Sequence, residues 1–372
     1  MNIVFIADIH FGAIDSAKLF KNLNDEFLKK VHDYCNESKR VINLLVIGGD
    51  LFDRKLSLNS SDSKYLMYFL NELYTSSFIE KVVILKGTQS HDYNQLDNFT
   101  HMYSDKFNII NTITEDRVED MKILYVPEEI IEEDMEEYYK SFHNKEYDYI
   151  FGHGTFQHIA FASKNTIEYT AYKKVPVFPS DFWKAKHGVY FGHIHKHDEY
   201  KGKYNVNYVG SFSRWKHGEE DDKGFYIINS DNNIENDFIV NEKAPLYITE
   251  NIDKIIDSNR TIDEKVEKII KVKNNNNIYR LRLFAENFTK EEDFNILKEY
   301  FMNHDLGITL FKKEDDKQEL LEEQVSEEIK KLNYIFDENN SLENIVSEYI
   351  KSKFDIDISP KTVKSYLNES EV

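Results

Sequence analysis

The segment Tyr190–His195 places two histidines at positions i and i+2, directly after an apolar run. Alternate residues at the end of a β-strand point to the same side, so His193 and His195 can face one cavity. Neutral imidazole is a common ligand of transition metals. The pair is a weak signal when taken alone, but it indicates a metal site.

Aspartate or histidine ends four further apolar runs of this sequence. Short apolar runs bounded by glycine and polar residues are typical of interior strands in a sheet that is covered on both faces. In layered α/β folds the functional side chains lie at the strand ends. The residues are Asp8 and His10 after Ile3–Ala7, Asp50 after Leu44–Ile47, His91 and Asp92 after Val82–Leu85, and His153 after Tyr149–Phe151.

Six of these side chains are candidate metal ligands: Asp8, His10, Asp50, His153, His193 and His195. Imidazoles beside carboxylates favour Mn, Fe or Zn, and the carboxylates shift the preference towards harder ions. Two ions about 4 Å apart, sharing one carboxylate, suit in-line attack on a phosphate ester. The alternative is a local structural role for every one of these residues, which requires a coincidence at five successive strand ends.

The order D-x-H, G-G-D-x-x-D, S-H-D, G-H and G-H-x-H resembles the motifs of the calcineurin-like metallophosphoesterase superfamily. A sharper resemblance is to its DNA-repair branch, the SbcD-type nuclease subunits of bacteria and bacteriophages. It rests on the opening Asp8–Gly12, on the second motif Gly49–Asp53, and on Gly210–Phe225, which is similar to the pattern G-S-x-x-R, G-E and K-G-F. Beyond residue 225 the resemblance is one of architecture.

The resemblance implies that two ions are bound and that one carboxylate bridges them: Asp8, His10 and His195 on the first ion, His153 and His193 on the second, and Asp50 on both. The ions would be two Mn²⁺, with Mg²⁺ or Fe²⁺ as alternatives. His91 would protonate the leaving oxygen or stabilise the charged transition state. Asp92 would orient His91, as a carboxylate behind a histidine commonly does.

The third motif departs from the G-N-H-D pattern of the resembled family. The segment Gly87–Asp92 reads G-T-Q-S-H-D, which is two residues longer and puts Ser90 in the place of the asparagine. In the family the asparagine amide oxygen completes the second metal site. Since a hydroxyl is a poorer ligand, we expect Ser90 to bind weakly and the second site to need more Mn²⁺, unless Gln89 reaches in instead.

The formal net charge of the 372 residues is −20, which argues against strong intrinsic affinity for DNA. Residues 183–217 are an exception, because they hold seven lysine and arginine residues and two acidic ones. We expect Arg214 and Lys216 to contact backbone phosphates there and Trp215 to stack on a DNA end. A solvated loop with a locally packed Trp215 is the alternative.

Three regions are expected along the chain. Residues 1–240 alternate strands and helices, which predicts an α/β fold with a layered β-sandwich core flanked by helices. Residues 241–315 read as β-α-β-α-β, a small α+β domain that would cap DNA over the site. Residues 316–372 read as amphipathic helices. The acidic segment 128–146 is expected to be a solvated face.

Partners follow mainly from the resemblance. Amphipathic helices beyond a compact enzyme need a surface on which to bury their apolar faces, and the resemblance implies an SbcC-type SMC-like ATPase. It also implies a homodimer through the helices near residues 18–34 and 61–73, although their apolar stripes can equally serve the core. A single cysteine, Cys35, fits a reducing cytoplasm, that of the host for a phage protein. No apolar stretch approaches the roughly 20 residues that span a bilayer.

These features together favour a Mn²⁺-dependent nuclease that acts at DNA ends. We expect a double-strand exonuclease, with single-strand endonuclease activity as a further expectation, in an SbcCD-like complex for DNA repair, recombination or replication. Two alternatives stay open. One is a phosphatase or small-molecule phosphodiesterase of the same superfamily; the other is a DNA-end tether with weakened catalysis.

Overall fold

The computed structural model describes residues 1–92, 95–96, 98, 105–129, 134–157, 176–179, 181–200, 205–230, 236–257, 259–285, 291–312, 350, 358–359 and 362–363. The chain divides into two compact units, Met1–Pro245 and Leu246–Val372. The helical tail predicted over residues 316–372 lies outside the described residues except for those last few positions, so the tail stays a prediction.

The strands of the first unit are β1 Asn2–Ile6, β2 Leu44–Ile47, β3 Val82–Leu85, β4 Phe107–Ile110, β5 Thr114–Val118, β6 Met121–Val126, β7 Tyr147–His153, β8 Thr155–Phe156, β9 Val177–Phe178, β10 Ala185–Gly192, β11 Asp198–Tyr200, β12 Val206–Tyr208, β13 Gly224–Asn229 and β14 Asp237–Val240. One sheet has the order β14-β13-β1-β2-β3-β4 and another β11-β12-β10-β7-β6-β5. The strands β1 to β4 are parallel, as are β6, β7, β10 and β12. Antiparallel strands complete the edges, and β8 pairs with β9 separately.

The first strand shows how the two sheets pack. Ile3 and Phe5 belong to a core shared with the other sheet, where the ring of Phe5 stacks on that of Phe151 at 5.4 Å between centroids. Val4 and Ile6 face the opposite way, into a core filled by helices. A strand that is apolar on both faces suits the interior of a layered fold. The predicted α/β fold with a β-sandwich core is therefore confirmed.

Helices cover the outer faces of this sandwich: α1 Ser16–Asn22, α2 Lys29–Ser38, α3 Ser61–Thr75, α4 Gln89–Asp92 and α5 Met135–His143. A π-helical turn, Leu23–Leu28, joins α1 to α2. The side chains of Asp15 and Ser60 accept backbone N–H groups at the starts of α1 and α3, as N-cap residues do. The apolar stripe of α3 is buried in the core of its own chain, so a homodimer through this stripe stays a prediction.

The second unit is a three-stranded parallel sheet with helices. Its elements are β15 Leu246–Asn251, α6 Ile252–Ile255, α7 Ile262–Asn275, β16 Ile278–Ala285, α8 Glu291–His304 and β17 Ile308–Lys312. The strand order is β15-β16-β17, and Leu281, Leu297 and Leu310 are buried in one core. This element order is the predicted β-α-β-α-β, with α6 as an additional turn of helix. Among the described residues, no helix has the length and apolarity needed to cross a membrane.

Candidate active site

The carboxyl ends of five strands from both sheets bring the predicted side chains together: Asp8 and His10 after β1, Asp50 after β2, His91 after β3, His153 at the end of β7, and His193 and His195 after β10. Their donor atoms form groups in which all members lie within 4.8 Å of one another. Parallel strands produce this convergence, because their carboxyl ends meet at one edge of the sheet.

Four of these residues have left-handed backbone conformations: φ is 51° at Asp8, 52° at His10, 49° at Asp50 and 90° at His193. Such angles cost a non-glycine residue free energy, of order 1–3 kcal/mol where the surroundings enforce them. They turn the chain sharply just after each strand, which aims the side chains into the same space. Backbone strain of this kind concentrates at functional sites.

The first group of donors is formed by Asp8, His10 and His195. The Nε2 atoms of His10 and His195 face each other at 3.0 Å. Asp8 Oδ1 lies 3.8 Å from His195 Nε2 and 4.0 Å from His10 Nε2. The backbone N–H of His193 donates to the Asp8 carboxylate, at 3.0 Å from Oδ2, and so holds it in place.

The second group contains His153, His193 and Glu128. His153 donates from Nδ1 to the carbonyl of Gly48 at 2.7 Å, which leaves its Nε2 free to face the site. Glu128 Oε2 lies 3.0 Å from His193 Nδ1. The prediction that residues 128–146 form a solvated face is wrong for Glu128, which is 5% exposed. Only the packing of β6 beside β7 brings it to the site.

Asp50 stands between the two groups, as predicted for a bridging carboxylate. Its Oδ1 lies 3.4 Å from His153 Nε2, and its Oδ2 lies 4.0 Å from His10 Nε2. Gly87 allows this approach, because a Cβ there would stand 2.3 Å from Asp50 Oδ1. One buried carboxylate can therefore serve ions on both sides.

A hydroxyl group also lies beside the second group of ligands, and it belongs to Thr88. Its Oγ1 lies 3.2 Å from Asp50 Oδ2, 3.3 Å from His193 Nδ1 and 3.4 Å from His153 Nε2. Ser90, which was expected in the place of the asparagine, lies in α4, two residues further on. The two extra residues of the loop are taken up after Thr88, so the residue that directly follows Gly87 faces the ligands.

Replacing Thr88 by valine should raise the metal concentration for half-maximal activity about tenfold, which is about 1.4 kcal/mol. Valine has nearly the shape of threonine but removes the oxygen that contacts Asp50 and both histidines. A metal titration of phosphoesterase activity measures this effect. Ser90→Ala is the matched control and should leave the titration unchanged; a larger effect of Ser90→Ala would contradict the assignment.

Asp92 has a different role from the predicted one. Its carboxylate accepts the backbone N–H groups of Asp50 at 3.1 Å, Phe52 at 3.2 Å and Gly87 at 2.6 Å, and so ties together the loops after β2 and β3. Burial raises the pKa of Asp92 to about 7, with the charge of Asp50 adding to the effect. The partner that orients His91 is the carbonyl of Asp53, 2.6 Å from His91 Nδ1.

The surroundings of two histidines in the site shift their pKa values in opposite directions. Burial, together with the neighbouring imidazoles, holds the pKa of His10 well below its ordinary value, so His10 is neutral. Burial acts in the same direction on His91, but the charge of Asp50 and the Asp53 carbonyl outweigh it, and the pKa of His91 is raised. A neutral His10 can serve as a ligand, and a protonated His91 can donate a proton.

Glu219 contacts His195 at Nδ1, the ring nitrogen that does not face the other ligands, and no sequence motif predicts this contact. Glu219 Oε1 lies 3.2 Å from His195 Nδ1, and its Oε2 accepts the backbone N–H of Trp215 at 2.9 Å. Lys223 is fully buried and donates to the His195 carbonyl at 2.7 Å. Glu219 of the G-E motif and Lys223 of the K-G-F motif therefore both support the same metal ligand, His195. Their proximity to His195 required the tertiary structure.

We expect Glu219→Gln to weaken metal binding about 10- to 100-fold, the usual cost of losing a carboxylate behind a histidine ligand. The amide has the size of the carboxylate but does not favour the His195 tautomer that presents Nε2 to the site. Calorimetric titration with Mn²⁺ measures the change. Glu220→Gln, at an exposed neighbouring position, is the control; equal affinities for Glu219→Gln and the native protein would contradict the role.

The predicted DNA-contacting residues differ in their surroundings. The guanidinium of Arg214 donates to the carbonyls of Glu219 at 3.0 Å and Asp221 at 2.9 Å, so it braces this loop and is a poor candidate for phosphate binding. Trp215 is half-buried, with its ring edge-on to His10 at 5.8 Å between centroids. This fits the alternative of a locally packed indole. Lys216 is exposed, and a phosphate contact by Lys216 stays a prediction.

The donor set fits divalent cations: the carboxylates of Asp8 and Asp50 with the imidazoles of His10, His153, His193 and His195. Buried carboxylates this close together repel one another and need a positive charge between them. Oxygen and imidazole nitrogen donors suit Mn²⁺, Fe²⁺ or Zn²⁺. The residues present therefore match the metal centre that the sequence predicted, whereas the identity and number of the ions stay predictions.

A two-layered β-sandwich with carboxylates and imidazoles at its strand ends defines a metal-dependent phosphoesterase. The chain belongs to the calcineurin-like phosphoesterase family, whose sequence model matches residues 1–197. Among solved structures, a likeness is found to "The Crystal Structure of the Protein of Unknown Function AQ665 from Aquifex aeolicus", with 10% identity, 56% of this chain and 89% of that chain covered, and a TM-score of 0.21. That score is too low to support an argument. No curated protein matches the chain.

Proposed function

We propose that this phosphoesterase is a Mn²⁺-dependent DNA nuclease, the nuclease subunit of an SbcCD-like complex that processes DNA ends. The observation that supports the nuclease branch of the family is the segment Gly210–Phe225, whose motifs resemble those of SbcD-type nucleases. This segment packs on the main chain and ring of His195 through Glu219 and Lys223. At Gly210, where φ is 75°, an added Cβ would stand 2.9 Å from the His195 carbonyl oxygen.

Substrate approaches this site from the side of the G-H-x-H motif. The side chains of His193 and His195 are 25% and 29% exposed, whereas those of Asp8 and His153 are fully buried. Lys216 is exposed and follows Trp215, whose ring lies against His10. A phosphodiester entering here meets imidazoles first and can take a charge-neutralising contact from Lys216.

The residues of this chain then have separate tasks in hydrolysis. Bound divalent ions would neutralise the phosphoryl oxygens and lower the pKa of the attacking water. Asp50 fixes the spacing of the two groups of ligands, since its two oxygens face different groups. His91 donates its proton to the leaving oxygen, with its ring held by the Asp53 carbonyl.

The partners of the proposed complex are DNA, a second copy of this chain and an SMC-like ATPase. The amphipathic pattern of residues 316–372 supports the ATPase contact, because apolar helix faces need a surface to cover them. Deleting the residues after 315 is expected to abolish capture of the ATPase while metal-dependent cleavage of a simple phosphodiester continues. Loss of both would show that the tail is needed for folding.

The experiment that tests the proposed function is degradation of a linear duplex, labelled at either the 3′ or the 5′ end, with Mn²⁺, Mg²⁺ or no metal. A small phosphomonoester is assayed beside it, and Asp50→Asn is the inactive control. We expect Mn²⁺-dependent cleavage of the duplex that the variant lacks, with the label reporting polarity. Turnover of the phosphomonoester alone would overturn the nuclease assignment. Inactivity on both, with the ATPase added, would favour the DNA-end tether.

A phosphatase or small-molecule phosphodiesterase is the second candidate, and the charge distribution favours it. The net charge of the chain is −20. Within the lysine-rich residues 183–217, two lysines are paired with carboxylates: Lys186 with Asp148 at 3.4 Å and Lys196 with Asp198 at 3.3 Å. These pairs leave less positive charge for a DNA backbone. The same assay separates the candidates.

A further inference from the structure

Glu128 lies at the second group of ligands, although it follows β6 and belongs to none of the sequence motifs. Its carboxylate is buried, and Oε2 lies 3.0 Å from His193 Nδ1 and 3.9 Å from His153 Nε2. One donor atom from each of these three residues falls within a group 4.8 Å across. This spacing is compact enough for all three to contact a single ion.

The Oε2 atom of Glu128 has no hydrogen-bond partner among the described residues. His193 Nδ1, at 3.0 Å, makes an ion-pair contact with this oxygen without completing a hydrogen bond. A buried carboxylate oxygen without a donor carries a large desolvation cost. A cation between Glu128 and the two histidines would remove that cost.

The position of Glu128 is fixed by the main chain on both sides. Its backbone N–H donates to the carbonyl of Lys86 at 3.0 Å, directly before the loop that carries Thr88. Two residues earlier, Val126 pairs with Gly152, the neighbour of His153. The carboxylate is therefore held between the third motif and the end of β7, on rigid elements of the sandwich.

We propose that Glu128 is a carboxylate ligand of the second divalent ion and takes over the task that the asparagine of the third motif has in the resembled family. The inference rests on the metal centre and holds whichever phosphoester is the substrate. Thr88 supplies only a neutral hydroxyl, whereas Glu128 supplies a negative charge. The second site becomes stronger by this exchange, opposite to the weak site expected from the sequence.

The added charge also has a consequence for the choice of ion. Asp8, Asp50 and Glu128 bring three carboxylates to the two groups of ligands, so oxygen donors make up a larger share of the site. Harder ions such as Mn²⁺ and Mg²⁺ prefer oxygen donors, and softer ions prefer imidazole and thiolate. We therefore expect the second site to retain Mn²⁺ at low concentration.

The competing explanation is an ion pair between Glu128 and a protonated His193, with no part in metal binding. Both explanations account for the 3.0 Å separation. They differ in what the protein binds, because only a ligand changes the affinity for the ion. A measurement of metal binding without substrate therefore separates them, and it does not depend on the proposed nuclease activity.

The test is equilibrium binding of Mn²⁺, followed by the electron paramagnetic resonance signal of the free ion, for the full native chain and Glu128→Gln. Losing a supporting residue behind a ligand weakens metal binding about 10- to 100-fold, and a direct ligand should cost no less. We expect at least a tenfold loss at one class of site and an unchanged affinity at the other. Native affinity at every site of Glu128→Gln would overturn the proposal.

Glu129→Gln is the matched control. The Glu129 carboxylate accepts the backbone N–H of Ile113 and the hydroxyl of Tyr138, so it faces away from the ligands. This variant should bind Mn²⁺ with native affinity. If Glu128→Gln does not fold, Glu128→Asp is measured in the same way, since it keeps the charge but shortens the reach: weakened binding at one class of site supports the proposal, and native binding overturns it.

Discussion

Asp50→Asn is expected to lower phosphoester hydrolysis on the order of 1,000-fold, the upper cost of losing one preorganised electrostatic group in an active site. The asparagine has the size of aspartate but lacks its charge. It would therefore weaken both groups of ligands, since Asp50 Oδ1 faces His153 and Oδ2 faces His10. Turnover of a simple phosphodiester at saturating Mn²⁺ measures the effect.

The control for this prediction is Asp237→Asn, which removes the same charge from an exposed position on β14. It should turn over substrate at the native rate. Mn²⁺ titration adds a second readout, because a bridging carboxylate affects the affinity of both ions. If Asp50→Asn weakens only one class of site, Asp50 is a ligand of one ion and the bridging role is wrong.

His91→Ala is expected to lower kcat about 10²- to 10⁴-fold, the usual contribution of general acid catalysis. Metal affinity should change little, because the proposed task of His91 is to present a proton from Nε2 while the Asp53 carbonyl holds its Nδ1. The charge of Asp50 and the Asp53 carbonyl raise the pKa of His91 despite its burial, which favours the protonated form that a general acid needs. Measuring kcat and Mn²⁺ binding on the same preparation separates the two effects.

Substrates with good and poor leaving groups sharpen this prediction. A leaving group of low pKa needs no proton, so His91→Ala should hydrolyse an activated aryl ester better than an alkyl ester, relative to the native protein. His304→Ala, at the exposed end of α8, serves as the control histidine variant. A large loss of Mn²⁺ affinity in His91→Ala would make His91 a ligand instead.

Most of the candidate site was predictable from sequence because its signal is local. An apolar run followed by aspartate or histidine identifies both a buried strand and a polar residue at its end, as at Asp8, Asp50 and His153. The parallel order of β1, β2 and β3 then brings the ends together. The β-sandwich fold was predictable for the same reason, since β1 and β2 are apolar on both faces.

The tertiary structure alone decided which side chains complete and support these ligands. Thr88 rather than Ser90 faces the second group, because the longer loop places its extra residues after the turn. Glu128 is buried through the pairing of β6 with β7, and Asp92 accepts main-chain N–H groups from the loop after β2. These contacts join segments far apart in the chain, and no local pattern of residue types encodes them.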